Sequence, residues 1–173
     1  LFTYLAASSF TFIQVLGWSP TQYGLLLSCN ALLYVSGTVL CRRLLARWGV
    51  RRSMALAGAL SATGGTLMGV FALAGVNNGW AYALPFWLFQ MAHGIHMPCS
   101  QSGSVGPFPH AAGTAAALNG FVMMLVAFGI GHWLGQRMDG TVLPLALGVW
   151  FWSLCVAVAA WTLVQKFGDP AKP

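Results

Sequence analysis

Residues 41–53 read CRRLLARWGVRRS and hold five of the eight basic residues of the chain. Sequence without any Asp, Glu, Lys or Arg lies on both sides, in residues 1–41 and 53–136. Uncharged apolar runs of such length are typical of helices that cross a lipid bilayer. A short basic segment between two of them is typical of a cytoplasmic loop. The stretch therefore predicts a chain that crosses a membrane on either side of a basic loop.

The composition of the whole chain excludes an ordinary soluble domain. Hydrophobic residues make up 58% and charged residues 6%, whereas a soluble domain carries about 25% charged residues. The net charge of +6 could suggest nucleic acid, but most of it lies between two apolar runs, so the expected partner is the lipid bilayer and no nucleic acid. The four cysteines are scattered singly, which predicts no disulfide framework, no metal and no cofactor.

A helix needs about 20 apolar residues to cross about 30 Å of hydrocarbon. Gly, Pro, Asn and charged residues divide the apolar pattern, which predicts an all-α integral membrane fold with about six transmembrane helices. We expect the first helix to be truncated inside a longer protein, because Leu1 is not Met and its run lacks the features of a signal peptide. The expected spans are residues 1–16, 21–41, 53–75, 80–97, 114–135 and 142–165.

The basic residues also predict the orientation. Residues 42–52 hold five arginines, and Lys166 and Lys172 follow the last span, whereas the opposite loops hold only Arg137, near Asp139. The positive-inside rule makes residues 42–52 a cytoplasmic arginine loop and places the C-terminus in the cytoplasm. The expected location is the bacterial cytoplasmic (inner) membrane, crossed several times.

Two spans carry polar and aromatic side chains at helical spacing, which makes them candidates for the wall of a substrate cavity. Asn30 and Tyr34 lie one turn apart in the second span. In the fourth span the residues that share a face are Phe86, Gln90, His93 and Met97. Such a mixture suits a broad pocket for a small hydrophobic substrate. Hydrogen bonds between helices explain the polar members equally well.

Small residues three or four apart predict close helix packing within a bilayer. The third span has Gly65 and Gly69 at this spacing. The fifth span has a longer stripe, which includes Gly113, Gly120, Gly131 and Gly135. We expect these six glycines to allow neighbouring backbones to approach.

A metal site and a hydrolase site fit the sequence less well. His93, His96 and Cys99 have helical spacing, but Pro98 interrupts their helix and no carboxylate is nearby, so no metal is expected.

The segment Ser100-Gln101-Ser102-Gly103 distantly resembles the nucleophile motif of intramembrane rhomboid proteases, with His132 as a base one span later. Rhomboids need Gly where Ser100 stands. The chain is therefore not expected to be an enzyme, and an intramembrane serine hydrolase and a non-transporting membrane scaffold stay as alternatives.

Two stretches resemble a known family. The segment RRLLARWGVRR is similar to the cytoplasmic loop between the second and third helices of a major-facilitator half, with Arg47, Gly49, Arg51 and Arg52 as its core. Ala46 occupies the place of an Asp in the fuller motif, as is usual in the looser second-half copy. The resemblance implies that these four residues form a gating loop.

The stretch MPCSQSGSVGPFPHAAGTAAALNGFVMMLVA, residues 97–127, resembles drug:proton antiporters of the bicyclomycin- and chloramphenicol-resistance type. That resemblance implies the C-terminal six-helix half of a secondary active transporter that exports small hydrophobic drugs or metabolites by proton antiport. The implied partner is the N-terminal half of the same transporter. Coupling in such antiporters generally uses embedded carboxylates, and here only Asp139 and Asp169 are acidic.

Overall fold

The computed structural model describes residues 1–168, which form helices and turns without a strand. The main helices are α1 Phe2–Ser9, α2 Pro20–Leu73, α3 Trp80–Val105, α4 Ala112–Gly135, α5 Leu143–Trp161 and α6 Leu163–Phe167. A π-helical segment, Phe10–Val15, continues α1, and a 3₁₀ turn, Pro109–Ala111, precedes α4. The expected all-α class is confirmed. Asp169 and Lys172, which entered the acid count and the orientation above, lie outside the described residues.

Helix α2 is too long for one crossing of a membrane. Its 54 residues would extend about 81 Å, against about 30 Å of hydrocarbon. Gly49 breaks the helix with φ 70° and ψ −178°, a conformation open almost only to glycine. We call residues 20–48 the first limb of α2 and residues 50–73 its second limb.

The arginine segment differs from the loop that the sequence predicts. Residues on both sides of Gly49 are helical, so a single residue makes the connection between the two limbs. Arginine and leucine are good helix formers, which explains why the helix continues through a segment that is strongly charged.

Helix α3 is also longer than the predicted span at residues 80–97, because it continues through Pro98 to Val105. Proline lacks the N–H that would bond the carbonyl four residues earlier, but membrane helices tolerate it where other groups compensate. After the proline, the Ser102 hydroxyl donates to the Pro98 carbonyl within the same helix.

Three helical stretches are long and apolar enough to cross a membrane. They are Pro20–Leu73, Pro109–Gly135 and Leu143–Phe167. Because the first of them is divided at Gly49, the fold is that of an all-α membrane protein with several crossings. The boundaries of the six expected spans stay a prediction.

The second limb of α2 packs closely against α5 at the glycines that the sequence singles out. A methyl group added to Gly65 would overlap Ser153, and one added to Gly69 would overlap the Trp150 ring. The Trp150 indole N–H also donates to the Thr66 hydroxyl at 3.1 Å.

The first limb of α2 crosses α3 at a second pair of glycines that the sequence does not mark as a stripe. An added methyl group would overlap the Met91 carbonyl at Gly37 and the Tyr34 carbonyl at Gly94. The two backbones are therefore in direct contact, which brings the polar faces of both helices together.

Helix α4 is sparsely covered for its length, since Leu134 is the one buried residue among its 24. Gly113, Gly120 and Gly135 have no neighbour within 4 Å of an added methyl group, and Gly131 has only Ala6 at 4.0 Å. The predicted packing of this stripe is not seen within residues 1–168, because the described helices leave this face open. Packing against another segment stays a prediction.

Candidate functional site

The predicted cavity residues meet where the first limb of α2 crosses α3. Tyr34 and His93 face each other across this crossing, with ring centroids 5.7 Å apart. Asn30 lies one turn before Tyr34, and Gln90 lies one turn before His93 on α3. The glycine contact described above sets the separation of the helices and brings the Tyr34 and His93 rings together.

A row of aromatic rings runs along this crossing. Phe86 and Phe89 on α3 stack with centroids 5.4 Å apart, and Phe89 stacks on His93 at 6.3 Å. From α1, Tyr4 stacks on Phe86 at 3.5 Å with an interplanar angle of 9°. We call the five rings of Tyr4, Phe86, Phe89, His93 and Tyr34 the aromatic row.

Three buried polar atoms beside this row have no hydrogen-bond partner within residues 1–168. They are the Tyr4 hydroxyl, the Asn30 Oδ1 and the Gln90 Oε1. The Tyr4 hydroxyl lies close to the Asn30 side chain, but outside the geometry of a hydrogen bond. We call these three residues the polar cluster. Since a buried polar group without a partner costs about 1–3 kcal/mol, a cluster of them is a candidate binding site.

Tyr4 was not predicted as a site residue, although its spacing along the helix gives a signal for it. Tyr4, Ser8 and Thr11 recur at the spacing of one helix face, and all three are buried. The Ser8 hydroxyl forms a hydrogen bond of 2.8 Å with Tyr23. The polar face of α1 therefore points toward the first limb of α2.

Met97 is joined to this group by its place on α3, one turn after His93, and is partly buried. His96, beside it, turns toward the second limb of α2 and forms a hydrogen bond of 3.2 Å with the Ser61 hydroxyl. A histidine with a partner on another helix contributes to packing rather than to the polar cluster.

The structure does not assemble the residues of the alternative metal site or of the alternative hydrolase site. Cys99 Sγ lies 3.7 Å from Cys41 Sγ, and no three His, Cys, Asp or Glu side chains in residues 1–168 are grouped so that they could hold a metal ion. The His132 ring interacts with the Gln136 side chain at 3.1 Å. The Ser102 hydroxyl donates to its own helix, so the structure does not pair Ser102 with His132.

The arginine segment is braced by the C-terminal end of the described chain. The Gln165 amide donates to the Arg51 carbonyl at 2.9 Å, and the Trp161 indole N–H donates to the Ala55 carbonyl at 3.0 Å. Arg47, Arg51 and Arg52 are exposed. The stretch that follows Gly49 is thus tied to α5 and α6.

Asp139, the one acidic residue in residues 1–168, lies in the turn between α4 and α5, away from the polar cluster. Its carboxylate accepts from the Thr141 hydroxyl at 2.6 Å and from the Thr141 backbone N–H at 3.0 Å. These bonds hold the pKa of the Asp139 carboxyl below its ordinary value. The carboxylate therefore stays ionised near neutral pH.

The polar cluster and the aromatic row can bind a small molecule by stacking and hydrogen bonding. Both amide oxygens are acceptors, so they match a ligand that carries donor groups. No carboxylate lies among the residues of the polar cluster and the aromatic row.

Comparison with known proteins gives one match. A sequence model of the family described as Major Facilitator Superfamily matches residues 1–132. A search of curated proteins and a search of solved structures gave no match.

Proposed function

The chain belongs to the Major Facilitator Superfamily, whose members are transporters, and from this membership we propose that it forms the C-terminal six-helix half of a drug:proton antiporter. The antiporter is of the bicyclomycin- and chloramphenicol-resistance type. It exports small hydrophobic drugs or metabolites across the bacterial cytoplasmic membrane and so confers drug resistance. Its N-terminal half supplies the other wall of the central cavity.

The polar cluster is the observation that carries this proposal. Asn30 and Gln90 bury amide oxygens without partners, an arrangement that costs stability unless a ligand supplies the donors. The aromatic row beside them offers flat apolar surfaces. Asn30, Tyr34, Gln90 and His93 would contact the substrate directly, with Phe86 and Met97 completing the cavity wall.

The open face of α4 supports the role of an N-terminal half as partner. Within residues 1–168, a methyl group added to the glycines of its stripe would meet no neighbouring atom, except for Ala6 at Gly131. Backbones that approach along such a stripe associate closely within lipid. We expect Gly120→Leu to lower the yield of folded full-length transporter by blocking this approach, and an unchanged yield would argue against it.

The arginine turn would act as the cytoplasmic gate. Arg47, Arg51 and Arg52 present positive charge next to the Gly49 turn, where anionic headgroups or acidic residues of the other half could attract them. Proton coupling would require carboxylates of the N-terminal half, since the polar cluster contains none.

The test replaces the two buried amides in the full-length transporter with apolar residues of similar shape, Asn30→Leu and Gln90→Met. We expect drug-driven proton exchange in proteoliposomes to fall at least tenfold for each variant. The melting temperature should be unchanged or raised, because removing a buried polar group that has no partner is neutral or stabilising.

Gln101→Met is the matched control on the same helix. The Gln101 oxygen accepts from the Asn119 amide at 2.8 Å, so this change breaks a made hydrogen bond. It should lower stability and leave drug preference unchanged. If Asn30→Leu and Gln90→Met instead lowered the melting temperature and kept wild-type exchange, the two amides would only pack between helices and would not contact the drug.

A further inference from the structure

Three tryptophan rings gather at the ends of α2 and α3 that lie opposite the arginine segment. Trp80 lies between the other two, with its centroid 5.2 Å from Trp18 and 6.2 Å from Trp87. The interplanar angles are 56° and 78°, so the rings stand as adjoining walls rather than as a stack.

These rings enclose a small cavity of about 220 Å³, which we call the tryptophan pocket. Its remaining walls come from the first limb of α2 and are Gln22, Leu25, Leu26 and Cys29. Pockets for drug-sized ligands have volumes of about 300–1,000 Å³, so this smaller pocket suits a compact group. Trp80 is 51% exposed, which leaves the pocket accessible from outside.

The walls are neutral, and aromatic faces carry negative electrostatic potential that attracts a cation, most strongly for tryptophan. Residues 1–41 and 53–136 contain no Lys or Arg, and no Lys, Arg or His lines the pocket within residues 1–168. The Trp87 indole N–H is buried without a partner within residues 1–168 and can donate to an acceptor oxygen on a ligand.

Two helix N-termini lie near the pocket and would favour an anion if their N–H groups were free. Both are capped in part. The Gln22 N–H donates to the Ser19 hydroxyl at 3.2 Å, and the Trp80 N–H donates to the Asn78 side chain at 3.0 Å. An anion would also find no basic side chain among the lining residues.

We propose that the tryptophan pocket binds an organic ammonium group that carries a nearby hydroxyl or ester oxygen. Such a group is the headgroup of a choline or ethanolamine lipid or part of a free amphiphile. None of the residues that line the pocket belongs to the polar cluster, and binding in the pocket does not depend on drug transport.

The test uses choline and its neutral analogue, in which carbon replaces the ammonium nitrogen, as two probes of one shape. Tryptophan fluorescence of the purified full-length protein in an amine-free detergent is titrated with each probe. We expect saturable quenching by choline and none by the neutral analogue. Equal binding of both probes, or of neither, would overturn the proposal.

Variants locate the binding. Trp80→Leu should weaken choline binding about 2- to 30-fold, the range that a lost cation–π contact gives, and Trp80→Phe should weaken it less. Trp152→Leu, on α5 outside the pocket, is the matched control and should bind choline as the wild type does. Identical affinity in Trp80→Leu and wild type would contradict the proposed site.

Lipid bilayers of stated composition then identify the source of the ammonium group. If lipid headgroups fill the pocket, choline binds more weakly in phosphatidylcholine nanodiscs than in phosphatidylglycerol nanodiscs. If a free amphiphile is the ligand, choline affinity is the same in both bilayers. Each result assigns the occupant of a site whose existence the two probes establish.

Discussion

The contact between the first limb of α2 and α3 allows a paired test on a single helix. Gly94 and Gly103 both lie in α3, but their surroundings are opposite. A methyl group added to Gly94 would overlap the Tyr34 carbonyl and would lie 2.9 Å from both the Gly37 Cα and the Thr38 nitrogen. A methyl group added to Gly103 would have no neighbour within 4 Å.

The expected magnitudes follow from these contacts. Overpacking costs about 1–3 kcal/mol, and the upper end applies at Gly94 because its neighbours are backbone atoms, which cannot rotate away. Replacing a glycine in a helix with alanine stabilises the helix by about 1 kcal/mol. Gly94→Ala should therefore destabilise the fold by about 2 kcal/mol, whereas Gly103→Ala should stabilise it by about 1 kcal/mol.

Thermal unfolding of both variants in detergent measures the difference. For a domain of this size, 1 kcal/mol corresponds to about 2–4 °C, so we expect a fall of about 4–8 °C for Gly94→Ala and a rise of about 2–4 °C for Gly103→Ala. Shifts of the same sign and size in both variants would refute the close approach of the two backbones.

Three further changes test other parts of the fold. Gly49→Ala forces a side chain into a backbone conformation with φ 70° and should cost about 1–3 kcal/mol, whereas Gly24→Ala, in an open helical position, should not; equal melting temperatures would contradict the break in α2. Ser61→Ala removes the hydroxyl partner of the buried His96 and should cost about 1–3 kcal/mol, measured by chemical unfolding, and an unchanged free energy would mean that the bond is not needed. A cysteine at Val50 should react with a membrane-impermeant thiol reagent from the cytoplasmic side alone, and labelling from the periplasm of intact cells would reverse the orientation.

Local signals in the sequence predicted much of the fold. The helices follow from apolar length, and the break at Gly49 lies inside the segment that was predicted as a loop. The continuation of the helix on both sides of Gly49 was not predicted, because charge indicates contact with water but does not exclude helix. Pro98 was expected to interrupt α3, whereas the helix continues through it to Val105.

Contacts between distant segments were harder to predict. Gly65 and Gly120 both lie on small-residue stripes, yet only Gly65 meets another helix within residues 1–168. What lies opposite a stripe depends on the arrangement of the helices, which spacing does not encode. Gly37 and Gly94 were missed because each is a single glycine whose partner is on another helix.

In the candidate site, too, local features were predicted from the sequence and contacts between helices were not. The shared faces of Asn30 with Tyr34 and of Gln90 with His93 follow from helical spacing. The contact of Tyr34 with His93, and the stacking of Tyr4 on Phe86, needed the structure, because they join three helices.

Drug protection of engineered cysteines tests most directly whether the polar cluster lines a transport path. Single cysteines replace Asn30, Tyr34, Gln90 and His93 in the full-length transporter, after removal of its native cysteines, which in this chain are Cys29, Cys41, Cys99 and Cys155. A water-soluble thiol reagent is applied with and without a transported drug. We predict that all four positions are labelled and that the drug protects them. Well-folded variants that stay unlabelled in both conditions would show that these residues only pack between helices.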